Sequence, residues 1–102
     1  MRPLAPPEDV ETNETAHEMV RFWIADEEHQ LTLNIGLFDP DEEPRLWGSI
    51  LADVAQHSVN GMLQDRPDAG SSDLLLAQIE AGFADRLNQY PEFSGSLQGS
   101  KH

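Results

Sequence analysis

The chain of 102 residues has 19 acidic and 6 basic residues, a formal net charge of −13, and no cysteine. This composition excludes disulfides and thiolate chemistry. It also argues against nucleic acid and anionic membranes as partners, because both are bound mainly through Lys and Arg. No segment reaches the roughly 20 apolar residues of a membrane span, and the first residues lack the apolar run of a secretory signal. We therefore expect a soluble, cytoplasmic protein.

Composition divides the chain into three parts. Residues 1–17 contain three prolines, several acidic residues and few apolar side chains, which predicts a mobile arm. Residues 91–102 are rich in Ser and Gly, which predicts a flexible C-terminal tail. Residues 18–90 remain as a single domain with room for one hydrophobic core.

Alternating apolar residues predict two strands, over residues 19–25 and 30–38. The register that we predict places Ile24 opposite Leu31, Phe22 opposite Leu33 and Val20 opposite Ile35. An even number of residues within 26–29 must then be left as the turn, because a slip by one residue would divide the apolar side chains between two faces. The opposite face of this hairpin, called the outer face below, carries Met19, Arg21, Trp23, Thr32 and Asn34.

An acidic, proline-containing turn over residues 38–44 predicts the start of a helix, since acids suit the positive end of the helix dipole. This helix runs from Arg45 to about Leu63. Its apolar stripe, in which we assign Trp47 to the core, consists of Trp47, Ile50, Leu51, Val54 and Ser58.

A second helix follows, capped by Ser71 or Ser72. Its stripe consists of Leu75, Leu76, Ile79, Phe83 and Leu87, continued by Tyr90. The sequence therefore predicts an α+β domain of ββαα order, with both helices packed on the apolar face of the hairpin.

One run of residues resembles a known family. The pair Trp47-Gly48 is followed by a helical segment, residues 51–57, with the pattern Leu-Ala-Asp-x-Ala-x-His. With the hairpin and the acidic turn before them, these residues are similar to a family of small bacterial proteins known as a domain of unknown function. The resemblance implies a stand-alone bacterial fold, and it implies no catalytic residue.

Asp53 and His57 are the candidate pair for chemistry. They are four residues apart on the first helix, so the carboxylate could orient the imidazole as a general base or a metal ligand. Because no third catalytic member accompanies them, a histidine held by its helix neighbour is the simpler interpretation. The acidic turn lacks the Gly and Glu of a calcium loop. We therefore predict no catalytic residue, metal or cofactor, and keep Asp53 and His57 as an alternative pocket.

Trp23 is the stronger functional lead. Leaving its ring exposed on an open sheet face would forgo burial worth on the order of 2 kcal/mol. Three kinds of cover are open: the chain's own arm or tail, a second subunit, or a small ligand or peptide. The covering side chains would be Leu4 or Val10 from the arm, or Tyr90 and Phe93 from the C-terminal end. A homodimer could join two hairpins into a four-stranded sheet, because a lone hairpin is marginally stable and has two open edges.

These observations favour a non-enzymatic accessory or protein-interaction domain, with a protein partner or a second copy bound at the outer face. The contact residues would be Met19, Arg21, Trp23, Thr32 and Asn34. The alternative is a small-molecule binder or enzyme with a pocket near His57. Replacing Trp23 by Ala should weaken association under the first hypothesis, whereas replacing His57 by Ala should matter only under the second.

Overall fold

The computed structural model describes residues 3–89. In chain order these residues form β1 (Val20–Ala25), β2 (Glu28–Leu33), α1 (Glu43–Asp65) and α2 (Ser72–Asn88). The strands make a two-stranded antiparallel sheet. The predicted α+β class and ββαα order are therefore confirmed. Neither helix of the described part of the chain is long and apolar enough to cross a membrane.

The predicted strand register is wrong by two residues. Phe22 pairs with Leu31 rather than Leu33, and Val20 pairs with Leu33 rather than Ile35. The cause is the turn, which consists of Asp26 and Glu27 alone, with φ of 54° and 66°. Two successive residues with left-handed backbone form a tight two-residue turn, whose twist matches that of the two strands it joins. Because the shift is an even number of residues, every side chain keeps its predicted face.

The second strand is also shorter at its far end than predicted. β2 ends at Leu33, and the chain then turns through Gly36, whose φ of 92° favours glycine. The Gly36 N–H donates to both carboxylate oxygens of Glu43, at 3.2 and 3.1 Å. The N–H groups of Glu42 and Glu43 donate to the Asp39 carbonyl, each at 2.9 Å. These bonds start α1 at Glu43, two residues before the predicted start.

The covered side of α1 moves around the helix along its length. Near the N-terminus Trp47 and Ile50 are half-buried, whereas nearer the C-terminus Val59 is fully buried. Leu51 and Val54, which the predicted stripe includes, are 51 % and 52 % exposed. The predicted stripe assumes that one side of α1 is covered along all 23 residues, and Val59 lies outside that stripe. Val59 was therefore missed as a core residue.

The start of α2 was predicted correctly. Ser71 is the cap, with extended backbone, and its Oγ accepts a hydrogen bond from the Leu74 N–H at 3.1 Å. Leu75, one turn into the helix, is buried as expected, but Phe83 and Leu87 are 53 % and 45 % exposed. At the C-terminus the Gln89 N–H donates to the carbonyls of Arg86 and Leu87.

The described residues divide after Glu43 into two compact units, of which one contains the hairpin and the other contains nearly all of the helices. The packing of the helices on the apolar face of the hairpin stays a prediction. The boundaries predicted at residues 17 and 90 also stay predictions.

Candidate functional site

The structure brings the residues predicted for the outer face to neighbouring positions of the hairpin. Arg21 lies opposite Thr32, and Trp23 lies opposite Gln30. The ladder continues past the strands, because the Asn34 N–H donates to the Met19 carbonyl at 2.9 Å. The five predicted residues thus occupy alternate positions on adjacent strands, which places them on one face.

Glu18 is a member of this surface that the sequence analysis missed. Its carboxylate accepts two hydrogen bonds from Arg21, one from Nη2 at 2.9 Å and one from Nε at 3.0 Å. The hydrogen bond to Glu18, and then its negative charge, raise the pKa of Arg21. In the sequence, the opposite charges of Glu18 and Arg21, three residues apart, could have indicated this ion pair. Both side chains are more than half exposed, at 56 % and 60 %, so the pair orients the guanidinium more than it stabilises the fold.

Two depressions adjoin the outer face. The larger, of about 550 Å³, lies at the open end of the hairpin. The residues that line it are Glu18, Val20, Arg21, Thr32, Leu33 and Asn34. The smaller, of about 250 Å³, we call the edge groove. Its lining consists of Pro3, Leu4, Glu18 and the four consecutive residues from Val20 to Trp23.

The edge groove bears on the question of what covers Trp23. Consecutive residues of β1 line it without any residue of β2, so it lies along the outer edge of β1. Trp23 is half-buried there, yet Leu4 is 95 % exposed and Val10 is 39 % exposed. The arm therefore borders the groove, but Leu4 is not the cover that was predicted as one alternative. Tyr90 and Phe93, the other candidates, lie outside the described residues.

The apolar face of the hairpin is more open than predicted. Phe22, which the sequence analysis placed in the core, is 52 % exposed, and Ile24 is 67 % exposed. Phe22 makes an edge-to-face contact with His29, with ring centroids 5.0 Å apart. Of the two adjacent aromatic residues, it is thus the one assigned to the surface, Trp23, that is half-buried.

The alternative pair lies on α1. Asp53 and His57 are both exposed, and among residues 3–89 no hydrogen bond between them is present. Within the same range, no group of three or more His, Asp or Glu side chains is placed to hold a metal ion. The two depressions described above adjoin the hairpin rather than this pair.

The hairpin surface and the ββαα order define a small α+β domain with an acidic exterior, and comparison with known proteins places it more closely. The model of the family described as Domain of unknown function (DUF5076) matches residues 3–90. The chain therefore belongs to this family, which confirms the predicted membership of a family of unknown function. The match includes residues 3–17, for which the composition predicts a mobile arm.

No curated protein matches the chain. A solved structure from the photosynthetic bacterium Rhodopseudomonas palustrus CGA009, named provisionally as a pyruvate dehydrogenase, is 26 % identical, with a TM-score of 0.62. The similarity covers 85 % of this chain and 94 % of that chain.

Proposed function

We propose that this chain is a non-enzymatic, cytoplasmic accessory domain that binds another protein chain through the outer face of its hairpin. The proposal depends on one observation: β1 presents an oriented Arg21 and a half-buried Trp23 side by side on that face, next to two depressions. Trp and Arg are the residues that most often dominate binding energy at protein interfaces. Thr32 and Asn34, beside them, provide the polar groups typical of an interface rim.

The charge of the hairpin unit restricts the partner. Residues 1–43 hold twelve acidic and two basic residues. A nucleic acid would be repelled by this surplus. A protein surface with basic groups would be attracted. A surface that meets β1 alone would avoid most of the repulsion, because β1 contains no acidic residue.

The alternative function, a small-molecule binder or enzyme with a pocket near His57, has less support. Asp53 and His57 are exposed, and the described depressions are elsewhere. The name of the solved neighbour belongs to that protein, and it makes pyruvate the first small molecule to test. If pyruvate binds in a pocket near His57, His57→Ala should weaken that binding, so this variant is the control for the alternative.

The experiment places a photo-crosslinking amino acid, benzoylphenylalanine, at either Met19 or His57 of the full chain in cells of its source organism. Met19 lies on the outer face and His57 on α1, so the two probes sample the two hypotheses. We expect discrete adducts from the probe at Met19, with a yield that falls roughly tenfold when Trp23→Ala is added, as for a hot-spot residue. Adducts from the probe at His57 alone, or from neither, would overturn the proposal.

A further inference from the structure

The backbone of β1 has one side that is unused in the hairpin. In a hairpin with a two-residue turn, the residues flanking the turn exchange two hydrogen bonds, and bonded pairs then alternate. The Asn34 N–H to Met19 carbonyl bond fixes this alternation at the far end of the ladder. Val20, Phe22 and Ile24 therefore direct their N–H and C=O groups away from β2. In residues 3–89, no backbone hydrogen bond outside the sheet involves these three residues.

The arm does not satisfy this edge. Pro3 and Leu4 line the edge groove, but the backbone bonds of the arm that are described are local, such as that from the Val10 N–H to the Pro7 carbonyl at 3.1 Å. Leu4 is 95 % exposed beside the groove. An open strand edge with apolar neighbours is a template for another strand.

We infer that the partner at this surface is a second copy of the chain, whose β1 pairs antiparallel with β1 about a two-fold axis through Phe22. The inference rests on the proposed function, because Arg21 and Trp23 of the outer face lie in β1 and would meet the same residues of the partner across this edge. The sheet would then have four strands in the order β2, β1, the partner's β1 and the partner's β2. Val20 would face the partner's Ile24, and Phe22 would face the partner's Phe22.

Hydrogen bonding and burial are satisfied together in this pairing, because residues of a strand that share a backbone direction also share a side-chain face. Hydrogen bonding requires the outward residues Val20, Phe22 and Ile24 to face one another. Burial requires residues of the apolar face to stay together, and these are the same three residues. Because all three have even numbers, a two-fold axis through Phe22 meets both requirements.

The outer face distinguishes this pairing from two alternatives. With the axis at Phe22, Arg21 lies opposite the partner's Trp23, and each guanidinium can contact an indole ring. An axis one residue earlier would place Arg21 opposite the partner's Arg21. The equivalent pairing of β2 would place Gln30 opposite the partner's Thr32, without a charged or aromatic contact. The edge groove also lies along β1 rather than β2.

Charge is compatible with this contact although each chain carries a net charge of −13. β1 contains no acidic residue, so no two carboxylates face each other within the paired strands. At the ends of the strands Glu18 approaches the partner's Asp26, and there Arg21 already binds the Glu18 carboxylate. The remaining long-range repulsion should be screened at moderate salt.

The test is the solution mass of the full chain by light scattering, from about 10 µM to about 500 µM protein and at low and high salt. We expect a mass that rises from 11.4 kDa toward twice that value, more readily at high salt. The variant Val20→Pro removes the outward N–H at the first residue of β1, where proline is tolerated at a strand edge. It should remain monomeric with an unchanged far-UV circular dichroism spectrum.

The matched control is Val20→Ala, which shortens the side chain and keeps the N–H, and which should still dimerise. A monomeric wild-type chain at all concentrations, or dimerisation of Val20→Pro equal to that of Val20→Ala, would overturn the inference. The crosslinking experiment tests the proposed function separately from the dimer. An adduct between the Met19 probe and another protein, together with a monomeric chain, would refute the second copy and uphold the interaction surface.

Discussion

Phe22 and His29 contact each other diagonally across the hairpin, with ring centroids 5.0 Å apart and planes at 61°. Neither is the direct partner of the other, since Phe22 lies opposite Leu31 and His29 lies opposite Ile24. An edge-to-face pair of this kind stabilises by roughly 0.5–1.5 kcal/mol, with exposed pairs at the lower end. We expect His29→Ala to lower the free energy of unfolding by about 0.5 kcal/mol and His29→Phe to preserve it. Urea unfolding followed by tryptophan fluorescence measures both, and Gln30→Ala on the outer face is the control, expected to change little.

The turn at Asp26 and Glu27 offers a direct gain in stability. Both residues have left-handed backbone, at φ 54° and 66°, which costs a residue with a side chain roughly 1 kcal/mol. The double variant Asp26→Asn and Glu27→Gly fits that conformation, so we expect the free energy of unfolding to rise by about 1 kcal/mol. Thermal unfolding tests this, with Glu28→Gly in the strand as a control that should be destabilised. A neutral turn variant would contradict the assignment of the turn.

Two glycines should respond in opposite directions to the same substitution. At Gly36, with φ of 92°, alanine is strained, and Gly36→Ala should destabilise by about 1 kcal/mol or more. Gly48 is inside α1, and a Cβ built there meets nothing within 4 Å, so Gly48→Ala should stabilise by roughly 0.5–1 kcal/mol. Urea unfolding monitored by circular dichroism distinguishes the signs. Equal effects at the two positions would contradict the described backbone.

The register of the inferred dimer can be tested by exchanging two side chains. Trp23→Arg alone would place arginine opposite the partner's Arg21, and we expect the dimer dissociation constant to rise at least roughly tenfold, the effect of losing a hot-spot residue. Adding Arg21→Trp restores the contact with the positions exchanged, so affinity should return to within a few-fold. Glu18→Gln in the wild-type chain measures what the loss of the ion pair alone contributes. A double variant as weak as the single one would rule out the axis at Phe22.

Sequence patterns predicted which face of the hairpin each side chain occupies better than they predicted which residues pair between the two strands. Alternation fixed which side of the hairpin Phe22 and Trp23 occupy, because the side-chain period of a strand is two. The register depended on a turn made of Asp26 and Glu27, a pair without the Asn-Gly composition typical of that turn, so it was misjudged by two residues. Local chemistry limited the cap of α2 to Ser71 or Ser72, since a cap requires only neighbouring residues, and Ser71 is the cap in the structure.

The site was predictable to a similar degree. Arg21 and Thr32 share a face by parity alone, whereas the relative burial of Trp23 and Phe22 depends on tertiary contacts that no local pattern encodes. The same holds for Val59, which is buried although it lies outside the predicted stripe of α1. The edge groove was missed for another reason: Pro3 and Leu4, which border it, belong to a segment read from its composition as an arm.

The placement of acidic residues around the strands has a consequence for aggregation. If β1 pairs with its copy, the edges left open are those of β2, which carry Glu28 next to the acidic turn residues Asp26 and Glu27. Charges at such positions act as gatekeepers against further strand addition, so the sheet should stop growing at four strands.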